Sequence, residues 1–465
     1  MKYFIKTFGC QMNVSDSERI ATFLEEQGFS LTEKIQDADL VIFNTCGIKQ
    51  TAENRAYSMI NNLRKAELKA KSQKLKAIIM TGCLANRADV QKRMKTKVDL
   101  FCEIKNFPES VSCILYDVSH MNSKIQNICP KLILGMKYEI RNTKNILSKE
   151  KIDYLSINPK YQSAFSAYVP IMTGCNNFCS YCVVPNARGR EVSRPAEEII
   201  TEVKDLIARG YKSITLLGQN VNSYHGTWSM KHGAKALTFT ELLKKINAIP
   251  GKFWIQFVSS HPKDMSDELI ENIAKLKKVC EWIHLPVQAG DDEILRRMNR
   301  KYTQKHYLAR IRKIKSAFKK HKPAALFSIS SDIIVGFPGE TKKQFLQSAT
   351  VMEKTKYDMV FFGQFSPRPE TVAWGLKDDV SQAEKFRREN FLNEILKKTA
   401  FTNNKKYVGK KMEVIIEKEK NGSYFGKTRT QKNVKVESKK KDLLGKIIKV
   451  QITKANIWNL EAKLN

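Results

Sequence analysis

The chain has 465 residues, of which 42% are hydrophobic and 28% are charged, as is typical of folded globular proteins and unlike disordered or membrane chains. Its 81 Lys and Arg residues against 47 Asp and Glu leave a net charge of +34, which favours a polyanionic partner such as nucleic acid. A lysine-rich genome would give the same excess, so charge alone does not identify the partner.

The N-terminus becomes polar from Gln11 onward and lacks the apolar core of a signal peptide. No apolar run approaches the roughly 18 residues that a membrane span needs. We therefore expect a cytoplasmic protein without membrane contact. Because thiols stay reduced in the cytoplasm, the ten cysteines indicate metal ligands or catalysis rather than disulfides.

Residues 1–105 alternate short apolar runs with amphipathic stretches, which predicts a βαβ pattern and an open parallel sheet. The predicted strands are 3–8, 40–43 and 77–80. Ser15-Asp-Ser-Glu18 has the form of a capping box and predicts that the first helix begins there. The pattern weakens from 106 to 160, which indicates a connecting segment. Three cysteines in or beside that segment are interpreted as packing residues, namely Cys102, Cys113 and Cys129.

Six strand-like runs recur between 165 and 366, and helical patterns follow nearly all of them. The runs are 167–172, 213–217, 253–258, 282–286, 327–335 and 359–365. Such a series predicts a partial or full α/β barrel, whose active site gathers at the C-terminal ends of its strands.

The pattern changes after a charged helix at 383–398. Four short alternating segments, 412–416, 424–428, 434–436 and 447–453, are punctuated by glycines and predict a small β-barrel. A set of basic residues is expected to coat this barrel and suit it to RNA, namely Lys427, Arg429, Lys432, Lys435, Lys439, Lys440 and Lys441.

The clearest motif is Gly174-Cys-Asn-Asn-Phe-Cys-Ser-Tyr-Cys182, in which Cys175, Cys179 and Cys182 directly follow the first predicted barrel strand. Three thiolates can bind three irons of a [4Fe-4S] cube and leave the fourth iron open to a small molecule. Structural zinc is the alternative, but it normally has four protein ligands, and no fourth Cys or His follows closely. The motif resembles that of the radical S-adenosylmethionine (SAM) superfamily, which implies that SAM chelates the open iron and is cleaved to a 5′-deoxyadenosyl radical.

A second set of cysteines follows the three strands of the first domain, one cysteine to each strand: Cys10, Cys46 and Cys83. In an open parallel sheet those strand ends share one edge, which is the usual ligand crevice. We therefore predict a second three-cysteine cluster there. The alternative is three unrelated buried cysteines, but their repeated position after a strand argues against it.

Two three-cysteine sets followed by a basic β-barrel resemble the methylthiotransferases over nearly the whole chain, and the MiaB-type tRNA enzymes are the most similar. The matching segments include Val192-Ser-Arg-Pro195, His284-Leu-Pro-Val-Gln288, Asp332-Ile-Ile-Val-Gly-Phe-Pro-Gly-Glu-Thr341 and Ser366-Pro-Arg-Pro369. Gln219-Asn-Val-Asn222 is the most discriminating segment, since the sister enzymes usually differ there.

The resemblance implies an N-terminal open parallel α/β domain, a central partial (β/α)6 radical SAM barrel and a small all-β TRAM barrel that binds RNA. We expect the N-terminal domain at 1–120, a linker at 121–160, the radical SAM domain at 161–398 and the TRAM domain at 399–465. Five residues near predicted strand ends are candidates for binding SAM, although the glycines also fit simple tight turns: Gly218, Ser260, Gln288, Asp332 and Gly336.

The implied reaction inserts a methylthio group at carbon 2 of isopentenyladenosine next to the tRNA anticodon and gives 2-methylthio-N6-dimethylallyladenosine. One SAM would methylate a sulfur held by the Cys10, Cys46 and Cys83 cluster, and a second SAM at the other cluster would generate the radical. The implied cofactors are two [4Fe-4S] clusters and SAM. The implied partners are the tRNA anticodon loop, an electron donor such as flavodoxin or ferredoxin, and a sulfur source. We expect a monomer.

Two alternatives stay open. The same chemistry can act on threonylcarbamoyladenosine in tRNA or on an Asp of a ribosomal protein, although Gln219-Asn-Val-Asn222 and the positive charge favour isopentenylated tRNA. An RNA-binding protein whose cysteines hold structural zinc is an alternative of another class.

Overall fold

A computed structural model describes residues 1–48, 50–69, 77–111, 153–230 and 233–464. By its internal contacts the chain forms two compact units: Met1–Gln162 with Cys182–Arg190, and Ser163–Tyr181 with Glu191–Asn465. Most of the predicted linker, together with Cys113 and Cys129, lies outside the described residues. Within the described ranges, the chain has no helix that is long and apolar enough to cross a membrane.

The first unit contains a five-stranded parallel sheet in the order β2-β1-β3-β4-β5. Its strands are β1 (Lys2–Thr7), β2 (Ser30–Leu31), β3 (Leu40–Thr45), β4 (Ala77–Gly82) and β5 (Leu100–Phe101), and its longer helices are α1 (Gln11–Glu26), α2 (Gln50–Lys69) and α3 (Ala88–Met94). Every residue of β3 and β4 is buried, because a central parallel strand is covered on both faces. The predicted βαβ pattern is confirmed.

The predicted capping box is wrong. Helix α1 begins at Gln11 with Cys10 as its N-cap, so Ser15 and Glu18 lie inside the helix. Their side chains are buried and bind partners within the unit: Arg19 donates to the Ser15 hydroxyl over 2.7 Å, and the Gln162 backbone N–H donates to the Glu18 carboxylate over 2.9 Å. Tertiary partners thus place these polar residues in a helix interior, where a local sequence pattern suggests a helix start.

The α/β part of the second unit contains six parallel strands in two sheets, β6-β9-β12 and β13-β14-β15. The strands are β6 (Ser166–Pro170), β9 (Ser213–Leu217), β12 (Trp254–Phe257), β13 (Trp282–His284), β14 (Ser328–Val335) and β15 (Met359–Gln364). Each coincides with a predicted run. Neighbouring strands are also neighbours along the chain, as in a (β/α) barrel, and the separation into two sheets agrees with the expected partial barrel.

Between these strands lie α4 (Val184–Arg188), α5 (Ala196–Ala208), α6 (Phe239–Ala248), α7 (Asp267–Lys275), α8 (Asp292–Arg297), α9 (Gln304–His321) and α10 (Lys342–Thr355). Two antiparallel ribbons interrupt the pattern: β7 (Met172–Thr173) with β8 (Val192–Ser193), and β10 (His225–Met230) with β11 (Gly233–Thr238). Neither ribbon is evident from hydrophobic periodicity, because their strands are short or carry mostly polar and glycine residues.

A closed five-stranded barrel ends the chain, in the order β16-β17-β18-β20-β19. It follows helix α11 (Gln382–Lys405) and consists of β16 (Lys411–Lys420), β17 (Ser423–Thr428), β18 (Asn433–Glu437), β19 (Ile447–Ala455) and β20 (Asn459–Leu464). The sequence indicated four of these strands and missed β20, which closes the barrel by pairing parallel to β18 and antiparallel to β19.

Two basic residues of this barrel do not belong to an RNA-facing coat. Arg429 binds Glu281 over 2.7 Å and also donates to the carbonyls of Lys277 and Val279, each over 2.8 Å. Lys432 binds Asp358 over 2.7 Å. Because these acids lie on the α/β part of the same unit, both cations hold the barrel against it.

We predict that Arg429→Ala lowers the free energy of unfolding by about 2 kcal/mol, because it removes two charged hydrogen bonds from the buried Glu281 carboxylate and leaves Lys322 as its cationic partner. Lys252→Ala is the matched control, since Lys252 binds Glu413 of the barrel over 2.6 Å but is 67% exposed at its side chain. The control is expected to cost under about 1 kcal/mol. Urea unfolding followed by circular dichroism measures both, and equal losses would contradict the prediction.

Candidate active site

The first unit carries three cysteines directly after neighbouring strands of its sheet. Cys10 is the N-cap of α1 after β1, Cys46 follows the end of β3, and Cys83 follows the end of β4. Since β1, β3 and β4 are adjacent and parallel, their C-terminal ends lie at one edge of the sheet. The three thiols therefore share that edge.

Two glycines let these cysteines approach one another. A Cβ atom at Gly9 would lie 2.8 Å from the Cβ of Cys46, and a Cβ at Gly47 would lie 3.4 Å from the Cβ of Cys83. The first distance is too short for two carbon atoms, so a side chain at Gly9 would push Cys46 away. The second is at the limit of ordinary contact, so the chain packs closely at Gly47 with little room for a side chain.

A pair of asparagines fixes the start of α1 to the end of β3. The Asn13 amide donates to the Asn44 side-chain oxygen over 2.8 Å and to the Thr45 carbonyl over 3.0 Å. The Asn44 amide donates in return to the Asn13 carbonyl over 2.8 Å. The Cys10 thiol donates to the Asn13 oxygen over 3.3 Å. Both asparagines are fully buried, so this exchange of hydrogen bonds positions Cys10 relative to Cys46.

A buried arginine lies close to the same edge. Arg188 forms an ion pair of 2.6 Å with Asp16, and both side chains are less than 5% exposed. Burial lowers the pKa of Arg188, but Asp16, the Cys83 thiolate and Tyr154 raise it well above its ordinary value. One guanidinium nitrogen, Nη1, is buried without a hydrogen-bond partner. An unused charged donor near a thiolate suits a site for an anionic sulfur group.

The second cysteine set lies in the segment enclosed by the β7–β8 ribbon, in which Met172 pairs with Ser193 and Thr173 with Val192. Cys175 accepts a hydrogen bond of 3.5 Å from the Asn177 amide. Burial raises the pKa of the Cys175 thiol, and the donors of Asn177 oppose that rise. Cys182 begins the segment Cys182–Arg190 of the first unit and lies three positions after Cys179 in the chain.

Residues 298–300 brace the cysteine loop within the second unit. The Met298 carbonyl accepts from the Ser180 backbone over 3.1 Å, and the Asn299 amide donates to the Phe178 carbonyl over 2.8 Å. Arg300 donates to the Cys179 sulfur over 3.2 Å. Asn299 and Arg300 carry no spacing signal, so the sequence did not reveal them. Only the return of the chain after α8 to the cysteine loop makes them neighbours.

Unsatisfied polar groups gather in the loops after β9 and β12. Among the described residues, buried side-chain oxygens of Gln219, Asn220, Asn222 and Ser260 lack hydrogen-bond partners. The two loops are joined by a hydrogen bond of 3.3 Å from the Val221 N–H to the Ser259 carbonyl. Buried polar atoms are nearly always paired, so these groups at the C-terminal strand ends fit a polar ligand such as SAM. Ser260 was a predicted contact, whereas the three amides were not.

The other four residues predicted to contact SAM lie in different surroundings. The space beside Gly218 is filled by Met172 and the space beside Gly336 by Lys385, so these glycines accommodate the chain's own side chains. The Gln288 backbone N–H donates to the Asp332 carbonyl over 2.9 Å. The Asp332 carboxylate is 39% exposed and lies 3.5 Å from the His284 ring. The assignment of all five predicted residues to SAM stays a prediction.

The donor sets suit iron–sulfur clusters. Thiolates that accept N–H hydrogen bonds are the usual ligands of such clusters, and Cys175 and Cys179 both accept one. In the part of the chain that the structure describes, no three His, Cys, Asp or Glu side chains are arranged around a single metal ion.

Comparison with known proteins agrees with this arrangement. Residues 2–103 match the model of uncharacterized protein family UPF0004, residues 169–352 that of the radical SAM superfamily and residues 405–464 that of the TRAM domain. The chain is 40% identical to a tRNA-2-methylthio-N(6)-dimethylallyladenosine synthase of Thermoanaerobacter pseudethanolicus, with 99% of this chain and 92% of the relative covered. It is also 40% identical to the enzyme of the same name from Clostridium botulinum, with 99% and 96% covered.

The chain belongs to the radical SAM methylthiotransferase family. Its cofactors are two [4Fe-4S] clusters and SAM, the usual arrangement of this family. A solved radical SAM methyltransferase from Kitasatospora setae matches with a TM-score of 0.51 at 14% identity, covering 80% of this chain and 74% of that chain. At such identity the likeness shows the fold alone. A radical SAM fold, a parallel N-terminal sheet and a C-terminal TRAM barrel were all predicted and are confirmed.

We predict that Cys46→Ala lowers the iron content of this methylthiotransferase from about eight to about four per chain, with sulfide falling in parallel, because one of two clusters loses a ligand. Cys102→Ala is the control: Cys102 lies in the same unit, but burial raises its pKa to about 12, and it packs in the hydrophobic core. Anaerobic iron and sulfide analysis after reconstitution measures both. Zinc without sulfide, or iron loss in both variants, would contradict the assignment.

Proposed function

We propose that the protein is a tRNA methylthiotransferase that converts isopentenyladenosine beside the anticodon into 2-methylthio-N6-dimethylallyladenosine. The observation that carries this proposal is the 40% identity over 99% of the chain to enzymes that bear that name. The position of Cys10, Cys46 and Cys83 at one sheet edge supports it, because methylthio transfer needs a second cluster besides the one that binds SAM.

The bound cofactors supply a sulfur that can be methylated and a radical that removes hydrogen from an unreactive carbon. Cys10, Cys46 and Cys83 would hold the first cluster, with Arg188 beside it as a hydrogen-bond donor to sulfur. Cys175, Cys179 and Cys182 would hold the second. Each set of three cysteines would leave one iron of its cluster without a protein ligand and open to a small molecule.

We propose that the polar groups after β9 and β12 bind SAM. The hydroxyl of Ser260 and the side-chain oxygens of Gln219, Asn220 and Asn222 are available for the amino N–H groups and ribose hydroxyls of SAM, since each is buried and unpaired. Gly218, Gln288, Asp332 and Gly336 remain candidate contacts from the sequence. Of these, Asp332 has the most accessible side chain, because its carboxylate is 39% exposed.

The tRNA would bind through its backbone and through a single-stranded base. The net charge of +34 favours phosphate contacts, and Lys439, Lys440 and Lys441 remain exposed on the TRAM barrel. An adenosine of the anticodon loop is single-stranded and forms no base pair, so it can enter an active site at low energetic cost. Neither relative compared above is named for an alternative substrate, threonylcarbamoyladenosine or a ribosomal-protein Asp.

The remaining parts of the proposal concern partners and boundaries. A one-electron donor such as flavodoxin or ferredoxin would reduce the SAM-binding cluster, and a separate sulfur source would supply the transferred atom. We propose a monomer that acts in the cytoplasm, where tRNA is modified. We also retain the domain boundaries 1–120, 121–160, 161–398 and 399–465 as a proposal.

Nucleoside analysis tests the function. Deletion of the gene is expected to abolish 2-methylthio-N6-dimethylallyladenosine in total tRNA and to leave isopentenyladenosine in its place, as measured by mass spectrometry. Complementation with Cys102→Ala should restore the product, and complementation with Cys46→Ala should not, because only the latter removes a proposed cluster ligand. Unchanged product in the deletion strain would overturn the proposal, and loss of methylthiolated threonylcarbamoyladenosine would favour the sister activity.

A further inference from the structure

Arg300 makes a contact that neither the cysteine motif nor the family match assigns. Its Nη1 lies 3.2 Å from the sulfur of Cys179, and the residue is only 8% exposed. The cysteine and the arginine are 121 positions apart in the sequence. A guanidinium is always charged in proteins, so a permanent buried cation rests against one ligand of the SAM-binding cluster.

The guanidinium is held in place by its own partners. Its Nε donates to the Tyr302 hydroxyl over 3.0 Å, and that hydroxyl donates to the Val287 carbonyl over 2.8 Å. The Tyr302 ring in turn packs edge-on against His261 at 5.5 Å between ring centroids. Because Tyr302 is itself buried and anchored, Arg300 has little freedom to leave Cys179. The guanidinium therefore keeps its contact with Cys179 and does not move among alternative positions.

We propose that Arg300 is a positioning residue that raises the reduction potential of the SAM-binding cluster through its charged hydrogen bond to Cys179. The inference depends on the iron–sulfur cofactor of the family and is independent of the tRNA substrate. It therefore remains testable whichever nucleoside or protein side chain is methylthiolated.

The physical reason is the charge balance of reduction. One electron from a low-potential donor adds one negative charge to the cluster, with no bond formed or broken and no proton taken up. A cation that is already in place stabilises the reduced form more than the oxidised form, and hydrogen bonds to cluster sulfurs raise the potential in the same way. Arg300 supplies both effects at one sulfur, in a buried position where water screens them little.

Helix α8, which ends at Arg297 just before Arg300, offers a matched control. Arg296 precedes Arg300 by four positions, but it is 73% exposed at its side chain and pairs with Glu293 over 2.6 Å. Arg296→Gln removes the same charge from the same part of the chain without touching the cysteine loop. It is expected to leave the potential of the cluster unchanged, since the charge of an exposed arginine is screened by solvent.

A redox titration of the reconstituted full chain, followed by electron paramagnetic resonance, tests the proposal. The Cys46→Ala background isolates the SAM-binding cluster. At a fixed potential, Arg300→Gln is expected to lower the ratio of reduced to oxidised cluster at least tenfold relative to Arg296→Gln, equivalent to about 59 mV for one electron. Tyr302→Phe, which removes the hydroxyl that holds Arg300, is expected to lower the ratio by a smaller factor.

Equal potentials in Arg300→Gln and Arg296→Gln, at equal iron content, would overturn the proposal. If Arg300→Gln does not retain iron, Tyr302→Phe decides: it removes the hydroxyl that anchors the guanidinium beside Cys179, and a potential equal to that of Arg296→Gln at equal iron content would also overturn the proposal. These measurements use no tRNA, so their outcome is separate from that of the nucleoside analysis.

Discussion

The N-terminal cysteine site depends on the close packing of backbone at Gly9 and Gly47. A Cβ at either position would meet an atom of the next cysteine along the sheet edge at 3.4 Å or less. Parallel strands alone bring their ends to one edge, about 4.8 Å apart for neighbouring strands, but side chains in the turns would separate the loops. The glycines remove that obstacle, and the Asn13–Asn44 exchange then holds the loops in this arrangement. Strand order and glycine position together define the site.

Three arginines that are buried or largely buried hold fixed charges in the described part of the fold. Arg188 pairs with Asp16 beside Cys83, Arg300 contacts Cys179, and Arg429 pairs with Glu281 beneath the TRAM barrel. A buried charge is costly unless it is paired, and each arginine has at least one acceptor, although Nη1 of Arg188 has none. Two of the three lie beside a cysteine that is a proposed cluster ligand, Cys83 or Cys179, whereas Arg429 lies near the core cysteine Cys280. This distribution relates the strong positive charge of the chain to its cofactors as well as to RNA.

The two kinds of polar environment in the second unit have different uses. Around the cysteine loop, Met298, Asn299 and Arg300 all bind loop atoms, and the Ser180 hydroxyl is the group of the loop that lacks a partner among the described residues. In the loops after β9 and β12, by contrast, several buried oxygens have no partner, including those of Asn222 and Ser260. Several bonds from one segment support the proposed metal ligands, whereas a group of unpaired atoms at strand ends is typical of a site that is completed by a ligand. The contacts around the cysteine loop thus support the cysteines, whereas the loops after β9 and β12 suit the binding of a ligand.

The sequence by itself determined the repeated elements and predicted the two cysteine sets, because hydrophobic periodicity and motif spacing are local properties of the chain. The six barrel strands, the parallel N-terminal sheet and the assignment of Cys10, Cys46 and Cys83 to strand ends all came from such patterns. Only the tertiary structure decided where α1 begins, that β20 closes the barrel and that Gly336 makes room for Lys385. It also revealed Arg300. These features depend on contacts between residues far apart in the chain, and pairing at such distance leaves no local pattern to read.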